Sequence, residues 1–126
     1  MFALINDIER YPEFVPWCTR AQIEKRTARE VIATLGVRRG PLRAEFTTRN
    51  ELDPPGRIAL RLERGPFREL EGQWLLTPIG TSGSRIELQL RFAFSSALSG
   101  ALFEPVFEHT AASLVDAFVL RAKTLA

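Results

Sequence analysis

Side chains able to do covalent or proton-transfer chemistry are scarce in this chain of 126 residues, which holds one histidine, His109, and one cysteine, Cys18. A lone histidine cannot assemble a His-based metal site, and a lone cysteine cannot close an internal disulfide. A thiol nucleophile needs a neighbouring base or a helix N-terminus to lower its pKa. Cys18 follows Pro16-Trp17, far along the chain from His109, and reads as a structural thiol. No glycine-rich phosphate loop, paired-carboxylate motif or GxSxG turn is present, so no catalytic residues and no metal ligands are assigned. Arginine is the abundant functional group. Residues 1–64 carry 12 of the 17 basic and 9 of the 15 acidic side chains, and all of the basic ones except Lys25 and Lys123 are arginine. Seven of them, Arg38, Arg39, Arg43, Arg49, Arg57, Arg61 and Arg64, fall on strand-like segments or their turns and define a candidate phosphate-binding face. The same segment carries Glu24, Glu45, Glu51, Asp53 and Glu63, which make a balanced, solvated face the alternative.

The elements that would position these groups follow from hydrophobic spacing. Met1, Leu4, Ile5 and Ile8 repeat at helical steps, and Tyr11 to Trp17, interrupted by Pro12 and Pro16, forms an apolar lid-like segment. The period then becomes two. Strands are expected at Glu30–Val37, Leu42–Arg49, Arg57–Glu63, Leu70–Thr77 and Arg85–Phe94, with a weaker one around Ile23–Arg26. Gly40-Pro41, Asp53-Pro54-Pro55-Gly56, Gly65-Pro66 and Gly80–Gly83 separate them as turns. From about Ser99 to Leu125, apolar residues return at three- and four-residue steps, giving a long amphipathic helix with Pro105 at a kink or first-turn position. His109 lies about 200° around that helix from Phe107, given roughly 100° per residue, and should face away from the sheet. Six strands joined by short turns form an antiparallel meander, so the fold class is α+β within one domain, residues 1–126. A helix closing over the inner face of such a sheet encloses an apolar space. No apolar run approaches the roughly 20 residues that span a bilayer, the first ten residues lack a signal-peptide pattern, and a cytoplasmic setting is expected.

The segments MFALINDIERYPEFVPWC, FTTRNELDPPGRI, GPFRELEGQWLLTP and FAFSSALSGALFEPVFEHTAASLVDAFVLRA, in this order, resemble the coenzyme Q-binding START-domain and ribosome association toxin RatA family, within the polyketide cyclase/START-like superfamily. The resemblance implies a helix-grip (START-like, Bet v 1-like) fold. It also implies that the strand usually preceding the first helix is absent, with dimerisation expected through the sheet edge so exposed. It further implies that the protein binds an elongated hydrophobic small molecule, a ubiquinone or lipid, as a carrier serving respiration at the inner face of the membrane. No cofactor is required for this. The ligand would contact Phe46, Leu60, Leu62, Trp74, Leu90, Phe92, Phe94, Phe103, Phe107, Val115 and Phe118. Tyr11, Phe14 and Trp17 would stand at the cavity mouth or touch a membrane surface, while Arg49, Arg61, Gln73 and Gln89 are candidates to orient a head group. The alternative reading is a ribosome-associated toxin that binds the large subunit and inhibits subunit association.

Overall fold

The computed structural model describes the chain apart from Met1, Pro41, Ser82, Ser96 and Ala126, and gives the backbone alone for Leu42, Ser84, residues 97–103, Thr124 and Leu125. Two short helices, α1 (Phe2–Asn6) and α2 (Tyr11–Phe14), flank a single 3-10 turn at Ile8–Arg10. The expected single helix over the first eight residues is thus broken at Asp7. Six strands follow: β1 (Cys18–Arg26), β2 (Glu30–Arg39), β3 (Leu42–Asp53), β4 (Arg57–Arg64), β5 (Phe67–Ile79) and β6 (Gly83–Phe94). They form one antiparallel sheet in the order β1-β2-β3-β4-β5-β6, the expected meander. Helix α3 (Ala97–Leu125) closes the chain. It begins before the predicted Ser99, so Pro105 lies inside the helix and not in its first turn.

Strand lengths are where local pattern reading falls short. β1 starts at Cys18, where the notched alternation Cys-Thr-Arg-Ala carries little signal, because Cys18 pairs with Val37 of the well-marked β2. β3 runs on to Asp53, as Asn50 pairs with both Val31 and Leu60. Register shifts in β1, in the β3–β4 ladder at Thr47/Thr48 and in the β5–β6 ladder at Phe67/Glu69 bend the strands, so the sheet curls around α3. Gly72 takes part in that curvature: a Cβ there would stand 2.0 Å from the Gln89 carbonyl oxygen of β6.

The core lies between the concave face of the sheet and α3. Two aromatic groups hold it. Near the Phe94 end of the sheet, Phe67 stacks on Phe94 with centroids 4.7 Å apart, and Phe107 of α3 meets Phe92 at 4.8 Å, Phe67 at 5.0 Å and Phe46 at 6.1 Å. Further along α3, the fully buried Phe118 sits edge-on to Tyr11 at 5.1 Å, Trp74 at 5.2 Å and Phe14 at 5.4 Å. The second group fastens the N-terminal segment to the helix. Arg121 reinforces it, pairing with Glu13 at 3.3 Å and lying over the Phe14 ring. Among the described residues no helix is long and apolar enough to cross a membrane.

Candidate functional site

Between the two aromatic groups the sheet and α3 leave an apolar cavity of about 90 Å3. Its floor is Ala33, Leu35, Val37, Phe46, Ile58, Leu60, Leu70, Trp74, Leu88 and Leu90, and its roof is Phe107, Thr110, Ala111 and Leu114. Ile5, Ile8, Tyr11 and Trp17 close one side. Small-molecule pockets span about 300–1,000 Å3. The space therefore does not accommodate an elongated polyprenyl chain in this packing. The reason is the aromatic side chains, which interlock edge to face and fill the room that a sheet-and-helix shell would otherwise enclose.

Of the predicted ligand contacts, Phe46, Leu60, Trp74, Leu90 and Phe107 line this cavity. Phe94 and Phe118 are buried in the aromatic groups beside it. Leu62, Phe92 and Val115 are half-buried against the same core. The Phe103 side chain lies outside the described residues. At the expected mouth, Tyr11 and Trp17 are buried in the cavity wall, and Phe14 is half-buried against Tyr11 and Phe118. The segment is a packed cover. Tyr11 donates its hydroxyl to the Ile5 carbonyl, and burial, with Cys18 and Asp7 nearby, drives its pKa upward. The Trp17 indole donates to Ser113 Oγ at 3.0 Å, pinning the cover to α3.

The sequence reading missed the polar part of the wall. Thr48 donates its hydroxyl to Asn50 Oδ1 at 2.8 Å, and Asn50 is only 6% exposed. Asn6 Oδ1 is buried in the same wall with no hydrogen-bond partner among the described residues. The signal was present: Phe46, Thr48 and Asn50 share one strand face, but a strand ended at Arg49 left Asn50 unassigned.

The four head-group candidates are on the wrong side. Arg49, Arg61, Gln73 and Gln89 line an open polar groove of about 460 Å3 on the outer face of the sheet, with Arg57, Glu71 and Arg91. Strand parity requires it, since Leu60 and Leu62 point inward and Arg61 between them must point outward. Nor do the seven arginines make one positive face. Arg49 bridges Glu30, at 2.9 Å, and Glu63; Arg61 pairs with Glu51; Arg64 pairs with Glu24. Arg57 donates to Gln73. Arg38, Arg39 and Arg43, in the β2–β3 hairpin, have no acidic partner among the described residues.

Cys18 is buried, and its thiol hydrogen points at the Arg20 carbonyl, 3.5 Å away. Desolvation raises its pKa, the opposite of what a nucleophile requires. His109 is exposed on α3, as its helical phase predicts.

The family described as polyketide cyclase / dehydrase and lipid transport matches residues 1–119. The chain is 42% identical over 125 residues to the ribosome association toxin RatA of Pseudomonas aeruginosa, covering 99% of this chain and 87% of that protein. It is 39% identical to the Escherichia coli protein of the same name, covering 98% and 78%. The mitochondrial coenzyme Q-binding protein coq10 of Schizosaccharomyces pombe is 27% identical, covering 98% and 78%. Among solved structures, the Zhui aromatase/cyclase of Streptomyces sp. R1128 superposes with a TM-score of 0.86 at 20% identity, covering 97% and 84%, a likeness of fold. An 18 kDa protein of Caulobacter crescentus superposes at 0.75 with 34% identity, covering 98% and 86%. The chain belongs to the polyketide cyclase / dehydrase and lipid transport family, with the START-like helix-grip fold, and has ribosome association toxins among its relatives.

Proposed function

We propose that this protein associates with the ribosome through its large subunit and inhibits translation by opposing subunit association. The observation that carries the reading is the 42% identity, spread over 99% of the chain, to a protein named as a ribosome association toxin. Two side chains considered for chemistry fit a binding role: burial raises the Cys18 pKa, and His109 stands exposed on α3. The test is sedimentation of purified protein with salt-washed ribosomes at low ionic strength. Comigration with the large subunit, with loss of the joined-subunit peak, is expected; protein left at the top of the gradient would overturn the reading.

A second reading is favoured by the apolar cavity under α3 and by the family's lipid transport description. Here the protein binds a quinone- or lipid-like molecule, and α3 with the Tyr11–Trp17 cover moves outward to enlarge the space. Thr48 and Asn50 would then supply the polar contacts, in place of the outer-face arginines. Organic extraction of freshly purified protein followed by mass spectrometry decides: a stoichiometric apolar molecule sustains this reading, and an empty extract removes it.

A further inference from the structure

We infer that the outer face of the β2–β3 hairpin, presenting Arg38 and Arg43, is a docking surface for the phosphate backbone of RNA. The inference rests on the ribosome reading for its biological setting and on the distribution of charge for its location. Elsewhere on the sheet five arginines are neutralised in place: Arg20 by Glu45 at 3.2 Å, Arg61 by Glu51 at 3.4 Å, Arg49 by Glu30 and Glu63, Arg64 by Glu24 and Arg91 by Glu69; Arg57 donates to Gln73, and Arg68 stands singly on β5 without an acidic partner among the described residues. At the hairpin two cations without a carboxylate stand directly opposite each other. Residues 36–44 contain no acidic side chain, and the next, Glu45, is taken up by Arg20. Gly36 lies between those two in the ladder, bare of a side chain, and lets them meet across it.

Arg38 and Arg43 are direct cross-strand partners, so both side chains leave the same outer face of the hairpin, and both are exposed. Like charges directly opposite one another oppose strand pairing. A sheet that neutralises its other facing arginines keeps this pair uncompensated. Arg39, on the other side of the strand, braces the hairpin: it donates to Ser113 Oγ of α3 at 3.0 Å, the hydroxyl that also receives the Trp17 indole. The backbone is fixed as well, with the Arg38 amide donating to the Trp17 carbonyl at 2.9 Å. Two guanidinium forks on one face of a hairpin with a braced backbone suit phosphate, which each can grip bidentately. A membrane surface fits less well, because the large exposed apolar side chains among the described residues are elsewhere: Ile79 at the opposite end of the sheet, and Val119 and Leu120 on α3.

The test compares the double variant Arg38→Glu/Arg43→Glu with a charge-matched control, Arg29→Glu/Lys123→Glu. The control cations are exposed, away from the hairpin, and without an acidic partner among the described residues. Both variants and the parent are assayed against protein-free ribosomal RNA and against intact ribosomes over a salt series, after melting curves confirm folding. The hairpin variant should lose about tenfold or more in RNA affinity, and its slope of log affinity against log salt should flatten by roughly one per arginine removed, while the control stays near the parent. Equal loss in both variants, or no loss in the hairpin variant, would overturn the assignment even if the parent sediments with ribosomes. Failure of the parent to sediment would remove the ribosome reading alone, provided parent and hairpin variant still differ on free RNA. Loss on ribosomes with unchanged binding to free RNA would identify an acidic protein partner and reject RNA. A parent that binds neither would reject both.

Discussion

The two faces of one sheet are built from alternate residues of the same strands, yet they are stabilised in different ways. On the concave face, Ile58, Leu60, Trp74 and Leu90 pack with Phe107 around a void of about 90 Å3, beside the buried Phe118. On the convex face, their immediate neighbours Arg57, Arg61, Gln73 and Gln89 make exchangeable contacts in an open groove. Burial of apolar area contributes about 25 cal/mol per Å2, whereas an exposed ion pair contributes about 0–1 kcal/mol. The concave face therefore carries stability and the convex face carries the charge pattern. A binding role for the interior must break packing; one for the exterior need only exchange solvent or a counterion. That difference makes Arg38 and Arg43, without an acidic partner among the described residues, the more accessible of the two proposed binding surfaces.

The strongest way to break this contrast is Phe118→Ala, which removes the ring joining Tyr11, Phe14 and Trp74. A loss of about 3–5 kcal/mol is expected. The melting temperature should fall by on the order of 10–20 °C. A fall of only a degree or two would show that the interior is loosely packed and open to a ligand. Gly72→Ala comes next, since its new Cβ would meet the backbone at Gln89, which cannot swing aside. Roughly 1–3 kcal/mol should be lost, read by chemical denaturation. Arg38→Glu works in the other direction: opposite Arg43 it converts a repulsive pair into an attractive one. Stability should rise by about 0.2–1 kcal/mol while RNA affinity falls, and parallel loss of both would show that the pair serves packing.

The smallest effect is electrostatic and belongs to Glu30. The hydrogen bond from Arg49, then Lys25, holds its carboxyl below the usual carboxylate range. A carboxylate with a depressed folded pKa contributes stability above its unfolded value, about 4.3 for glutamate, and that contribution disappears as pH falls through the folded value. Replacing Glu30 by Gln should therefore flatten the acid side of the melting-temperature profile and leave the shape above about pH 6 unchanged. An unaltered acid limb would show the pairing to be energetically silent.

Much of this organisation was legible in advance. Period-two alternation located the cores of β2 to β6, and period-3.6 spacing located α3, because burial on one face imposes those repeats. Parity also contained the correction to the head-group candidates: Arg61 between Leu60 and Leu62 has to face outward. Strand ends were harder, since Cys18–Arg20 and Asn50–Asp53 are strands by virtue of their partners and not of their own propensities. The size of the enclosed space was not readable at all. The same aromatic composition can line a ligand cavity or fill it, and ring-to-ring packing in three dimensions selects between them.

The sequence by itself determined the meander, the closing helix, the family and the inward and outward partition of side chains, because each is written in local spacing or in extended motifs. Tertiary structure alone decided that the interior closes to a small void. It also decided which arginines meet a carboxylate among the described residues, because an ion pair depends on strand register and sheet curvature, which no single strand's sequence contains.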